Sequence, residues 1–142
     1  MTANVIYNKD LRTTCTHLKS GSHFETDAPT DNNGKGERFS PTDLLATSLA
    51  ACMVTVMGIK ARTMGFDLEN VKVEVLKNMK AEPRRVGGID LVFHIPEALA
   101  GIDAKTITIL KHTGHTCPVA KSLHPDIEIN INWGAWANNE AG

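Results

Sequence analysis

Residues 36–53 read GERFSPTDLLATSLAACM, and they set the architecture of the chain around one long helix. Ser40 is a residue type that caps helices, Pro41 suits the first helical position, and Asp43 can return the contact to the Ser40 backbone. These signals predict a helix running to about Met64, where Gly65 stands as a left-handed C-terminal glycine. Leu45, Leu49, Cys52, Val56 and Ile59 recur at alternating steps of four and three, while Leu44, Ala46, Ala51 and Met53 fill other faces. The helix is therefore apolar nearly all round until Lys60 and is expected to be buried and central. Its uncharged run, Leu44 to Ile59, is shorter than the roughly 20 apolar residues of a bilayer span, so protein is the expected surrounding.

On the N-terminal side, VIY, LRTTCTHL and SHFET between Val5 and Thr26 are rich in β-branched and aromatic residues and predict two or three short strands. DAPTDNNGKGERF, from Asp27 to Phe39, is dense in turn residues and reads as a surface loop. On the C-terminal side, Asn70 to Ala81 alternates Val71, Val73 and Val75 with charged residues until Leu76 breaks the pattern, and Gly87 to Ile95 reads as a second strand. The turn-like EPRR between them predicts an antiparallel hairpin. A helix over about Asp103 to His112, a short helix from Pro118 and a last strand over Asp126 to Trp133 complete an α+β pattern. With no repeat, linker or low-complexity stretch, residues 1–142 read as one domain.

Composition excludes several classes. Hydrophobic residues make up 42% and charged residues 22%, which removes disordered and fibrous classes. A net charge of -1 with scattered Lys and Arg leaves no basic stripe for nucleic acid or an anionic membrane, so a small neutral substrate is expected. MTANVIYNKDLRTT lacks a basic segment leading into an apolar run, which gives cytoplasm as the expected compartment. Three widely spaced cysteines, Cys15, Cys52 and Cys117, then read as free thiols.

Cys52 falls in the middle of the long helix, where a cysteine is first of all a small hydrophobe, and only a partner group makes it more. Cys117 precedes Pro118 and is a candidate N-cap, where backbone N–H groups favour the thiolate, so on local electrostatics it is the better nucleophile. It reads equally as a residue that merely sits at a helix start. Cys15 lies in a strand without a basic neighbourhood and reads as structural. His112, His115 and Cys117 raise a metal site, but His-x-x-His-x-Cys without a second ligand cluster is a weak zinc pattern, and no metal or other cofactor is expected. Gly34 and Gly36 lack the Gly-Lys-Ser/Thr context of a phosphate loop.

The block GERFSPTDLLATSLAACM (Gly36 to Met53), followed at a distance by CPVAKSL (Cys117 to Leu123), resembles the OsmC/Ohr family of osmotically inducible and organic-hydroperoxide-resistance proteins. The resemblance extends over essentially the whole chain. It implies an intertwined homodimer with antiparallel sheets around the central helices and active sites at the subunit boundary. It further implies a thiol-dependent peroxidase for organic hydroperoxides, acting against oxidative stress. Cys52 is then the peroxidatic residue and Cys117 resolves it, which reverses the order that helix electrostatics gives. The resulting disulfide would be reduced by an external dithiol, a lipoylated protein or a small thiol.

The family resemblance also implies an arginine from the N-terminal region beside the thiolate. Arg12 is the first choice and Arg38 the second. Here the chain departs from the family's Asn-Pro-Glu type helix start. Ser40-Pro41-Thr42 places Thr42 where the arginine-holding glutamate would stand, leaving Glu37 or Asp43 as the replacement. Two other classes remain open at this point: a non-catalytic member that binds a small apolar ligand in the dimer cleft, and a metal-binding module at His112, His115 and Cys117.

Overall fold

The Ser40 signal opens a helix, α1, that runs from Pro41 to Thr63. The Ser40 Oγ accepts from the Asp43 N–H at 3.0 Å, and Asp43 Oδ2 accepts from the Ser40 N–H at 2.9 Å, so two orphan donors are satisfied reciprocally. At the other end Gly65 takes φ 89. The Phe66 N–H bonds the Ala61 carbonyl and the Gly65 N–H bonds that of Arg62, closing the helix with a Schellman pattern. The structure is a computed structural model that describes residues 1–138, and it divides into two compact units, residues 1–45 and the remainder from Ala46.

In the first unit, β1 (Ala3–Lys9), β2 (Arg12–His17) and β3 (His23–Asp27) form an antiparallel sheet in that order. Asp10 and Leu11 both adopt left-handed backbone, φ 53 and 62, and make the tight turn between β1 and β2. The loop from Ala28 to Phe39 contains one 3-10 turn, Thr30–Asn32. It folds back on itself so closely that a Cβ on Gly34 would lie 1.7 Å from the Ala28 carbonyl oxygen.

In the second unit, β4 (Lys72–Ala81) and β5 (Arg84–His94) form the expected hairpin, and β6 (Glu128–Asn132) joins β5. The β5–β6 pair is parallel, so this sheet is mixed where a wholly antiparallel one was expected. The physical reason is the crossover between the two strands. It carries three helices, α2 (Glu97–Ala100), α3 (Ala104–His115) and α4 (Pro118–Ser122), enough chain to return the next strand in the same direction. Ile89, Leu91 and Phe93 of β5 are buried and belong to one core cluster with α1 and α3, while the opposite face of the sheet is polar around Asp90. Both Asp90 oxygens accept side-chain amide bonds, from Asn78 at 2.9 Å and Asn130 at 3.0 Å. Leu76 keeps the period of two rather than breaking it and faces out, 59% exposed.

α1 buries one stripe: Ala46, Leu49, Ala50, Met53, Met57 and Ala61. Leu45 and Ile59, which the four-three spacing grouped with Leu49, stay 40% and 61% exposed, so a single chain covers one side of the helix. By length and composition α1 could cross a bilayer, since the helix extends beyond the uncharged run in both directions. Its buried stripe is instead the core of the second unit. Ser40→Ala removes one half of the capping box and is expected to lower stability by about 1 kcal/mol. The urea midpoint of the variant against the parent checks this.

Candidate active site

Arg12 opens β2 immediately after the left-handed turn, and the β2–β3 register places it directly opposite Asp27. Residues opposite each other on an antiparallel pair share a face, so a long cation and a short anion meet without further help. The contact is a fork: Arg12 Nε donates to Asp27 Oδ1 at 2.7 Å and Nη2 donates to Asp27 Oδ2 at 2.9 Å. The loop adds a second carboxylate, because Nη2 also donates to Glu37 Oε2 at 3.0 Å, and the Glu37 N–H donates to Asp27 Oδ2 at 3.1 Å. Asp27 is 1% exposed. The hydrogen bond from Arg12 holds its carboxyl below the usual aspartate range against the opposing cost of desolvation, and Asp27, then Glu37, raise the guanidinium pKa in return.

The other candidates in this unit are occupied differently. Arg38 pairs with Glu25 at 3.1 Å on the surface, and Asp43 is engaged in the helix cap. Of the two carboxylates named as replacements for the family glutamate, Glu37 reaches Arg12, but the principal holder is Asp27. Asp27, expected in a surface loop, is instead the buried last residue of β3. Beside the clamp a hollow of about 350 Å³ is lined by Gly36, Glu37, Arg38, Phe39 and Asp43.

In the second unit, Cys52 lies on α1 and Cys117 caps α4, and the fold brings the two free thiols close enough to interact. Cys52 is half-buried at the edge of the core stripe and Cys117 is 1% exposed. Cys117 is the predicted N-cap, its sulfur accepting from the Ala120 N–H at 3.4 Å, with Pro118 at the first helical position. The cap does not give a low pKa. Burial pushes the Cys117 thiol up and the adjacent Cys52 adds to it, outweighing the Ala120 and Val119 N–H groups that pull the other way. A thiol held protonated is a poor first nucleophile, so the cap alone does not make Cys117 the reactive thiol that local helix electrostatics predicts.

Cys15 sits on β2 with Val5 and Phe24 as its cross-strand neighbours, and its sulfur contacts Thr13 Oγ1 at 3.8 Å. His112 and His115 occupy the last turn of α3, where the His115 ring meets Trp133 edge-on at 5.6 Å. Lys111, one turn earlier, is buried with its ammonium 5.8 Å from the Trp133 ring centroid and no hydrogen-bond partner among the described residues. Among the described residues, no three His, Cys, Asp or Glu side chains are grouped to hold a metal ion.

A family model described as OsmC-like protein matches residues 34–132, more than half of the chain. The chain belongs to the OsmC-like protein family. A crystal structure from Psychrobacter arcticus 273-4 is 51% identical, covering 93% of this chain and 94% of that one with a TM-score of 0.88. Its description as an osmotic stress induced and detoxification response protein is itself provisional. An organic hydroperoxide resistance protein OsmC from Legionella pneumophila is 19% identical over 92% of this chain and 93% of that one, TM-score 0.69. An OsmC-like protein of unknown function from Vibrio cholerae is 13% identical over 91% and 96%, TM-score 0.74. The two distant likenesses establish that the α+β architecture is the OsmC-like one. No curated protein matches the sequence.

Asp27 is the site residue that sequence reasoning missed in this OsmC-like protein, and a signal for it existed. Once the turn over residues 18–21 is fixed, antiparallel pairing of LRTTCTHL with SHFET continues to Arg12 opposite Asp27. Because the folded pKa of Asp27 lies below its unfolded value, its contribution to stability is complete above the ordinary aspartate pKa of about 3.9 and is lost as pH falls through the lower folded value. Urea midpoints measured from pH 7 to pH 2 are therefore expected to show Asp27→Asn clearly less stable than the parent at pH 7. The gap should close toward pH 2.

Proposed function

We propose that this protein is a thiol-dependent peroxidase for organic hydroperoxides, with Cys52 as the peroxidatic residue, Cys117 as the resolving residue and Arg12 as the activating cation. The observation that carries the proposal is the meeting of the Cys52 and Cys117 thiols, two residues far apart in sequence and joined by no disulfide. The Cys52 thiolate attacks a peroxide oxygen, the O–O bond breaks, and the departing alkoxide takes a proton and leaves as an alcohol. Cys52 becomes a sulfenic acid. The Cys117 thiol then displaces its hydroxyl as water, forming the Cys52–Cys117 disulfide. An external dithiol, such as a lipoylated protein, returns both cysteines to thiols and is itself oxidised to a disulfide.

The raised pKa of Cys117 supports this order, since a protonated thiol supplies the proton that turns the leaving hydroxyl into water. Arg12 is supported by its clamp: two carboxylates fix the guanidinium plane and prevent it from swinging with solvent. The departure at Thr42, which favoured a non-catalytic ligand-binding member, loses its force because Asp27 and Glu37 supply the carboxylates that Thr42 does not. Relatives named for organic hydroperoxide resistance and for a detoxification response point the same way. A cytoplasmic setting, whose reducing thiols would regenerate the enzyme, belongs to the same reading.

The working form is proposed to be a homodimer. Leu45 and Ile59 on α1 are joined in exposure by Val5, Ile6 and Tyr7 of β1, each more than 60% exposed, and a second copy would cover apolar surface that one chain leaves open. Sedimentation should give twice the 15.4 kDa chain mass.

Cumene hydroperoxide consumption with a dithiol reductant, with hydrogen peroxide in parallel, tests the chemistry. Wild type is expected to turn over the organic substrate faster. Cys52→Ser should be inactive, and Cys117→Ser should accumulate a sulfenic acid that dimedone traps. Arg12→Ala should lose roughly 100-fold in kcat/KM, the scale of removing one charge-stabilising donor. Inactive wild type with every peroxide and dithiol tried would sink the proposal.

A further inference from the structure

We propose that Gly114 is a positioning residue whose missing side chain lets α3 approach α1 closely enough for Cys52 and Cys117 to join. The inference rests on the two-thiol reading above. Gly114 lies in the last turn of α3, buried, with none of the left-handed backbone that makes glycine obligatory at Gly65. Glycine inside a helix costs stability relative to alanine, so its presence there calls for a packing reason. The packing supplies one. A Cβ at Gly114 would meet Met57 Sδ at 2.9 Å, Met53 Cε at 3.3 Å and Met57 Cγ at 3.3 Å.

Flexible thioethers normally yield to such a methyl, but these two have little room. Met53 and Met57 are 1% and 0% exposed and belong to the closed core of the unit. An added methyl must therefore be absorbed largely by moving α3 away from α1. Each sulfur is tied directly to this contact. Cys52 immediately precedes Met53 on α1. On the other side, the Cys117 N–H donates to the Gly114 carbonyl at 3.2 Å, so the cap of α4 follows Gly114 wherever it goes. Separation of the helices at Gly114 is transmitted to the two sulfurs through one residue on α1 and one hydrogen bond on α3.

The step that reads this separation needs no peroxide. In glutathione buffers, Cys52 and Cys117 thiols react with one oxidised glutathione to give the intramolecular disulfide and two reduced glutathiones. The equilibrium constant reports how closely the protein holds its thiols. The experiment measures it by alkylation and mass spectrometry for the full-length protein, Gly114→Ala, Gly101→Ala and Gly114→Ala/Met57→Ala. Gly101 is the control, because a Cβ there meets nothing within 4 Å.

Gly114→Ala is expected to lower the constant by about tenfold or more, the scale of overpacking a closed core. Gly101→Ala should leave it within about twofold of wild type, well short of the tenfold step that about 1.4 kcal/mol represents. The double variant, which removes the Sδ that the new methyl strikes, should recover most of the loss. A Gly114→Ala constant equal to wild type overturns the inference, as does a wild type in which no Cys52–Cys117 disulfide forms at any glutathione ratio. Should Gly114→Ala alone fail to fold, the double variant carries the test: a near-wild-type constant supports the inference and a tenfold lower one overturns it. A wild type that forms the disulfide yet consumes no hydroperoxide would remove the peroxidase proposal and leave this inference standing.

Discussion

Burial of Leu49, Met53 and Met57 along one stripe of α1 is the contact on which the second unit depends. Each fully buried side chain of this size contributes about 1.5–3 kcal/mol. Ala46 and Ala50 flank Leu49 and Ala61 follows Met57, so small residues bracket the large ones along the stripe. The face has a consequence for chemistry as well as stability. Cys52 stands at its edge, half-covered, and any element that packs against Met53 and Met57 arrives beside Cys52. α3 packs there at Gly114.

Cys117 shows how two effects of opposite sign are decided. A helix N-cap lowers a thiol pKa through N–H groups aimed at the sulfur, and Cys117 has that geometry with Ala120. Yet α4 spans only Pro118–Ser122, so its dipole is short, and the same packing that positions the cap removes the sulfur from water. Desolvation acts on the whole charge of the thiolate, whereas the Ala120 N–H at 3.4 Å and the Val119 N–H compensate only part of it. The result is a buried, protonated thiol beside a partially exposed one.

The first unit solves a different problem, that of holding a cation still on a sheet with little core of its own. A lone surface ion pair is worth little because both side chains lose freedom to make it. The Arg12 fork escapes part of that cost. Asp27 is short, buried and already fixed by the β2–β3 ladder, and the Glu37 backbone donates to the same carboxylate. Gly34 and Gly36 bring Glu37 back to the sheet, since the loop passes the Ala28 backbone at a distance that leaves no space for a Cβ at Gly34. The turn residues that read as generic loop chemistry thus determine where a carboxylate lies.

Local signals in the sequence were enough to determine α1 with both of its caps, the β1–β3 and β4–β5 strands, the Cys117 cap and the α+β class. Each depends on residues within about one turn or one hairpin of each other. A family resemblance carried by two cysteine contexts supplied the pairing of Cys52 with Cys117 that no local rule contains. Only the tertiary structure decided which stripe of a helix apolar all round is buried, that β6 runs parallel to β5, that Asp27 rather than Asp43 holds Arg12, and that burial overrides the cap at Cys117. It also extended α3 through Gly114, where local rules ended it at His112, because a residue without a side chain fits against Met57 whether or not it favours a helix. These outcomes turn on register and on contacts between segments far apart in the chain, and such distances become fixed only when the chain has folded.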